Sequence, residues 1–215
     1  MQEHDFKLFA SKDYLIGIDE VGRGALAGPV VAAACCLHKD GFRNLEFIEL
    51  TAKFRDSKKM VLAAREKAVD FLNAFKAQGV VSFQVASATV SEINDLNILN
   101  ASTLAMERAL KSVLAGIDST QSYKVLVDGK PLKGFFCEHQ SVIGGDDRSL
   151  VIACASILAK VSRDHFMIKQ GAQYPEYGFE NHKGYGTQAH RKSLLENGPC
   201  EMHRDLFLRK LFKSG

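Results

Sequence analysis

The chain has 215 residues, 46% of them hydrophobic, enough to bury a substantial core in one large domain with at most a small appended part. With 28 basic and 25 acidic residues the net charge is +3, which permits nucleic-acid binding without demanding it, and no apolar run approaches the roughly 18–20 residues of a membrane span. Five cysteines, odd in number and without a C-x-x-C pair, speak for reduced core thiols rather than a disulfide framework or a zinc site, and an N-terminus carrying Glu3, Asp5 and Asp13 is unlike a signal peptide, so a cytoplasmic protein is expected.

Residues 14–18 form an apolar strand that runs into Asp19-Glu20 and the Gly22-Arg23-Gly24 turn. Residues 30–37 read as a second, buried strand. Val61, Ala64, Ala68, Phe71 and Phe75 recur at helical spacing and predict an amphipathic helix over 58–77, with Ser57 as its N-cap. A further strand is expected over 80–86, and Ile98, Ala101, Ala105, Ala109 and Val113 mark a second amphipathic helix. Residues 124–127 are a short strand ending at Asp128-Gly129, and 135–143 is weaker strand material leading into Gly144-Gly145-Asp146-Asp147. A helix over 150–168 carries Ala153, Ala155, Ser156 and Ala159, small enough to let it lie close to a sheet. A polar, aromatic loop over 174–186 precedes a helix begun at Thr187 and stopped near Gly198-Pro199. Strands interleaved with helices predict an α/β fold, a mixed sheet covered by helices.

Asp19, Glu20, Asp128 and Asp146 each stand where an apolar segment meets a glycine. Hard cations such as Mg²⁺ and Mn²⁺ prefer oxygen ligands and keep several waters, so a few converging carboxylates suffice to hold them. Strand alternation points Asp19 and Glu20 to opposite faces, so they share a site only where the strand ends. Gly22-x-Gly24-x-x-Ala27 also fits part of a dinucleotide fingerprint with Asp40 as the ribose acid, but Gly28-Pro29 and an apolar run follow where a helix should open. Basic residues gather at Lys53, Arg55, Lys58 and Lys59 and again at Lys160, Arg163, His182, Lys183, His190, Arg191 and Lys192, where they can neutralise phosphates. Tyr174, Tyr177, Phe179 and Tyr185 are interleaved with the second group, a mixture suited to sugars and phosphates, with some of the rings belonging to the core.

The segments Gly17-Ile18-Asp19-Glu20-Val21-Gly22-Arg23-Gly24, Asp56-Ser57-Lys58-Lys59, Leu96-Asn97-Ile98-Leu99, Val127-Asp128-Gly129, Ala155-Ser156-Ile157-Leu158-Ala159-Lys160-Val161 and His182-Lys183-Gly184-Tyr185, in that order, resemble bacterial ribonuclease HII over nearly the whole chain. The resemblance implies a ribonuclease H-like sheet with flanking helices over residues 1–172 and a small helical part over 173–215 that closes over the nucleic acid. It implies cleavage of the RNA strand of RNA/DNA hybrids, and of duplex DNA 5′ to an embedded ribonucleotide, using two Mg²⁺ or Mn²⁺ ions; the sequence is silent on oligomeric state, and a monomer is the default expectation. Asp19, Glu20, Asp128 and Asp146 match the family's metal-binding carboxylates. The Gly22-Arg23-Gly24 turn and Tyr185 match its sensor of the ribose 2′-hydroxyl, and Lys58 and Lys59 match phosphate contacts. Two departures stand out. Gly144-Gly145-Asp146 replaces the usual Lys-Gly-Asp, with Asp147 a competing ligand one residue on, and Leu206 stands where a serine is usual. A non-catalytic hybrid-binding protein and a nuclease for other DNA structures are the competing readings; the four retained carboxylates oppose the first and the sugar-sensing residues the second. Leu206-Phe207-Leu208 with Leu211-Phe212 read as an amphipathic terminal helix rather than a tail that binds a sliding clamp.

Overall fold

The computed structural model describes residues 1–9, 12–56 and 60–212. Three strands, β1 (Tyr14–Val21), β2 (Val30–His38) and β3 (Val81–Ala88), form an antiparallel meander. On the other side of β1, β4 (Tyr123–Asp128) and β5 (Gln140–Val142) add in parallel, which gives the order β3-β2-β1-β4-β5. The helices in chain order are α1 (Gln2–Leu8), α2 (Leu45–Thr51), α3 (Leu62–Ala77), α4 (Val90–Leu114), α5 (Gly145–Arg148), α6 (Leu150–Gln173), α7 (Phe179–His182), α8 (Gln188–Asn197) and α9 (Asp205–Phe212). None is long and apolar enough to cross a membrane.

Both faces of the sheet are covered, so β2 is a nearly unbroken run of Val, Ala and Cys instead of an alternating one. Leu15, Val31, Ala33, Cys35 and Leu37 pack toward α3 and α6, while Ile16, Ile18, Ala32, Ala34 and Cys36 pack toward α4. The small residues of α6 bring it against β1, as their spacing predicts. A Cβ on Gly17 would lie 2.3 Å from the Val151 carbonyl carbon and 2.4 Å from the Ile152 nitrogen, so only glycine lets strand and helix backbones meet there.

The predicted pattern holds for β1 to β4, for α4, α6 and α8, and for the terminal helix, and shifts elsewhere. Helix α3 begins at Leu62 behind Val61, later than expected; Ser57, Lys58 and Lys59 lie outside the described residues. It is also turned so that Ala68, Leu72 and Phe75 enter the core while Val61 and Phe71 stay exposed, because Leu72 stands i+4 from Ala68 and Phe75 i+3 from Leu72. Helix α4 contains a break at Asn97 (φ 67°), whose side chain accepts from the Leu99 and Asn100 N–H groups and so caps the segment that carries the predicted stripe. Of the strand material over 135–143 only β5 pairs; Phe135 packs edge-on against His139 instead. The loop over 174–186 is largely wound into a 3-10 turn, Pro175–Tyr177, and α7, with Ala27, Met167, Tyr177, Phe179 and Met202 forming a separate small core beneath.

Gly17→Ala should destabilise the protein by about 1–3 kcal/mol through forced separation of β1 and α6, lowering the melting temperature by about 2–4 °C per kcal/mol. Calorimetry checks this; an unchanged melting temperature would contradict the close approach.

Candidate active site

Strands β1 and β4 run parallel side by side, with Ile18 opposite Val127, so Asp19 and Asp128 emerge together at their C-terminal ends. Ligands in open α/β sheets characteristically bind outside such ends. Strand β1 continues through both acids to Val21, and Asp19 and Glu20 leave it on opposite faces, yet at its margin both reach the same cleft. That cleft, about 360 Å³, is lined by Asp19, Glu20, Val21, Arg65, Asp128, Ser156, Ile157 and Lys160. The Glu20 N–H donates to Asp19 Oδ1 at 2.8 Å and the Ser156 hydroxyl also donates to Asp19. Even so, burial, followed by the charges of Glu20 and Asp128, pushes the Asp19 carboxyl up to about 8. Burial also raises Glu20, against the pull of Arg23, whose Nη1 donates to Glu20 Oε1 at 2.9 Å.

Asp128 Oδ1 accepts from the Gly145 N–H at 2.6 Å, which ties the end of β4 to the start of α5. The next residue, Asp146, is 1% exposed, whereas Asp147 is exposed. Asp146 is therefore next to Asp128 through the chain but is not among the residues lining the cleft. Gly144, the departure noted in the sequence, caps α5 in the left-handed conformation (φ 65°), which favours glycine.

The turn after β1 is held from within by two arginines that are both 0% exposed. Arg163 of α6 donates to the carbonyls of Pro29 (2.9 Å), Ala27 (3.0 Å) and Lys183 (2.8 Å). Arg204, just before α9, donates to those of Gly28 (2.8 Å), Ala25 (2.8 Å) and Arg23 (3.2 Å). Burial lowers both guanidinium pKa values, that of Arg204 to about 9 with a further push from Arg163. Carbonyl dipoles thus take the place of water around two buried charges and draw the 23–29 backbone inward. Gly22 (φ +94°) is required beneath them, since a Cβ there would lie 2.2 Å from Arg163 Nε.

Tyr185 is brought to this turn by backbone pairing, as Leu26 and Ala27 N–H both donate to the Gly184 carbonyl at 2.9 and 3.2 Å. Its ring lies 5.3 Å from the Arg163 guanidinium and 5.9 Å from Lys160 Nζ. The second basic group is only partly a surface feature. Lys160 lines the cleft and pairs with Asp164 at 2.7 Å, but Arg163 and His190 are buried and face inward, so neither is a phosphate contact. Tyr177 and Phe179 are core rings. Arg65 and Ser156 join the site without having been singled out as site residues; Ser156 lies inside a family motif, whereas nothing local marks Arg65.

Among the described residues, no three His, Cys, Asp or Glu side chains form a ready-made metal cage. The donor chemistry nonetheless fits a hard divalent cation: oxygen donors only, converging on a cleft open enough for waters, with carboxylates whose mutual repulsion a cation would relieve.

The family model for ribonuclease HII matches residues 16–214. Ribonuclease HII of Fusobacterium nucleatum is 44% identical over 204 residues, covering 93% of this chain and 88% of that protein. That of Granulibacter bethesdensis is 43% identical over 208 residues, covering 96% and 90%. Among solved structures, ribonuclease H2 from Pyrococcus horikoshii OT3 matches with a TM-score of 0.72 at 22% identity, over 94% of this chain and 98% of that one. Bst-RNase HIII in complex with Mn²⁺ matches with a TM-score of 0.67 at 16% identity, over 94% and 70%. The two structures share the ribonuclease H-like fold seen here, and the sequence matches carry the assignment further: the chain belongs to the ribonuclease HII family of enzymes.

Proposed function

We propose that this chain hydrolyses the RNA strand of RNA/DNA hybrids and cuts duplex DNA on the 5′ side of an embedded ribonucleotide, leaving 3′-hydroxyl and 5′-phosphate ends. The observation that carries this reading is the cleft that gathers Asp19, Glu20 and Asp128 at adjacent strand ends, next to the Gly22-Arg23-Gly24 turn and Tyr185. Asp19, Glu20, Asp128 and Asp146 would hold Mg²⁺ or Mn²⁺, two ions with substrate bound, which supply activation of water and neutralisation of the charge that develops on the phosphodiester. The burial of Asp146 beside exposed Asp147 favours Asp146 as the fourth ligand, and a Mn²⁺ complex of the Bst relative supports the choice of cation.

The chain's own groups divide the remaining work. Arg65 and Lys160, at the cleft wall, meet the phosphate charge, and Lys58 and Lys59 are assigned to phosphates by their sequence motif alone. Glu20 and Arg23 hold each other at the cleft mouth. The backbone of Gly22, Arg23 and Gly24 reads the 2′-hydroxyl, the group that separates RNA from DNA, and the Tyr185 ring packs against that sugar. Residues 173–215 form the substrate-binding side, and the protein acts as a cytoplasmic monomer.

The test is cleavage of a labelled DNA duplex with one ribonucleotide, beside an all-DNA duplex and an RNA/DNA hybrid, with Mg²⁺, Mn²⁺ or chelator. The expected result is a cation-dependent cut 5′ to the ribonucleotide and none in all-DNA; equal cutting of all-DNA, or cutting in chelator, would contradict the proposal. Asp128→Asn should lower cleavage by at least about a hundredfold with an unchanged circular dichroism spectrum. Tyr185→Ala should narrow the preference for the ribonucleotide substrate, whereas a uniform loss on every substrate would remove Tyr185 from sugar recognition.

A further inference from the structure

Tyr185 is attached to a series of histidines whose proton positions follow from their partners. His190 of α8 is fully buried, and its Nδ1 lies 2.9 Å from the Tyr185 carbonyl oxygen. A carbonyl only accepts, so Nδ1 carries the proton and Nε2 is bare. That Nε2 faces Nε2 of buried His203 at 3.0 Å. Two bare nitrogens would repel there, so His203 carries its proton on Nε2 and donates. Its Nδ1 is then bare and accepts from the Cys200 N–H at 3.0 Å, with the Cys200 thiol a second donor at 3.3 Å. The opposite tautomer would aim His203 Nδ1–H at the more distant Cys200 carbonyl, 3.3 Å away, and strip the His190 contact of its only proton. His182 stacks on His190 with centroids 4.3 Å apart; it donates from Nε2 to the Tyr177 carbonyl at 2.8 Å and accepts at Nδ1 from the Gly184 N–H at 3.2 Å. Burial holds His190 and His203 down at about 4, which keeps both neutral near pH 7.

We propose that His190 and His203 are positioning residues for ribonucleotide selection: one directed hydrogen-bond series, from Cys200 N–H through His203 and His190 to the Tyr185 carbonyl, fixes the Tyr185 backbone so that its ring stays beside the Gly22-Arg23-Gly24 turn. A fully satisfied buried network specifies one arrangement, whereas a single unpaired member releases it. The proposal rests on the reading of Tyr185 as the sugar contact. It also explains why α8 keeps a buried histidine where an apolar side chain would fill the same space: only a donor on that side of the ring holds the Tyr185 carbonyl.

Two variants of one residue separate positioning from packing. His190→Asn retains an amide N–H near the place of Nδ1–H, and His190→Gln extends its amide toward His203 and gives up the Tyr185 carbonyl. On the one-ribonucleotide duplex we expect kcat/KM to fall roughly tenfold in His190→Gln and less than about threefold in His190→Asn, at matched melting temperatures. In a Tyr185→Ala background the difference between the two should vanish, as required of residues acting through one another. Nitrogen-15 NMR of histidine-labelled full-length protein should find His190 protonated at Nδ1 and His203 at Nε2. Reversed tautomers, equal losses in the two variants, or a difference that persists in the Tyr185→Ala background would overturn the proposal. Undiminished ribonucleotide preference in Tyr185→Ala alone would instead overturn the sugar-contact reading and the functional half of this one with it, while the tautomers still report whether the series exists.

Discussion

Asp19 is placed where both burial and two neighbouring carboxylates oppose its charge, and much of the surrounding structure serves to keep it there. Strands β1 and β4 set Asp19 beside Asp128 by register, and the side chain cannot turn away because the Glu20 N–H and the Ser156 hydroxyl hold it. Gly17 lets α6 close on β1 just below, which brings Ser156 within reach. Asp128 is anchored in turn by the N–H of Gly145. The arrangement stores electrostatic repulsion that a hydrophobic cluster of the same shape would not, as expected of a site built for cations rather than for stability alone.

A second buried electrostatic device, opposite in sign, lies beside the first. Arg163 and Arg204 are surrounded by carbonyls from residues 23–29 and from Lys183, so the turn after β1 and the segment carrying Tyr185 are fastened to α6 and to the approach to α9 at once. Breaking either set of contacts would leave a buried cation without its dipoles, which is strongly unfavourable. The result is that two segments distant in sequence are tied to one another beside the cleft, with the histidine series holding the Tyr185 side.

Much of this was legible in the residues, for identifiable reasons. The apolar periodicities of β1, β2, α4 and α6 report burial directly, and acids placed between an apolar run and a glycine mark strand ends, so Asp19, Glu20 and Asp128 stood out before any contact was known. Charged residues were read less well. Arg163 and His190 look like surface cations because nothing in the local sequence shows that backbone carbonyls from residues far along the chain will surround them. Arg204 had no signal for the same reason. Helix α3 was misplaced in rotation because Phe71 and Leu72 are equally apolar, and only the packing partners decide which enters the core. Strand β5 is three residues long, too short for alternation to register.

The central claim is that the carboxylates are held together against repulsion in order to bind a cation, and thermal denaturation of the wild type and Asp19→Asn, with and without Mn²⁺, tests it most directly. Burial and its acidic neighbours hold the Asp19 carboxyl up at about 8, so near pH 7 the cation-free fold keeps on it a proton that the unfolded chain gives up; Asp19→Asn removes that cost and should raise the melting temperature of the cation-free protein by a few degrees, at about 2–4 °C per kcal/mol. Mn²⁺ should then stabilise the wild type by preferential binding to the folded state and leave the variant nearly unmoved. A cation-free Asp19→Asn that melts below the wild type, with both proteins gaining equally from Mn²⁺, would contradict the account.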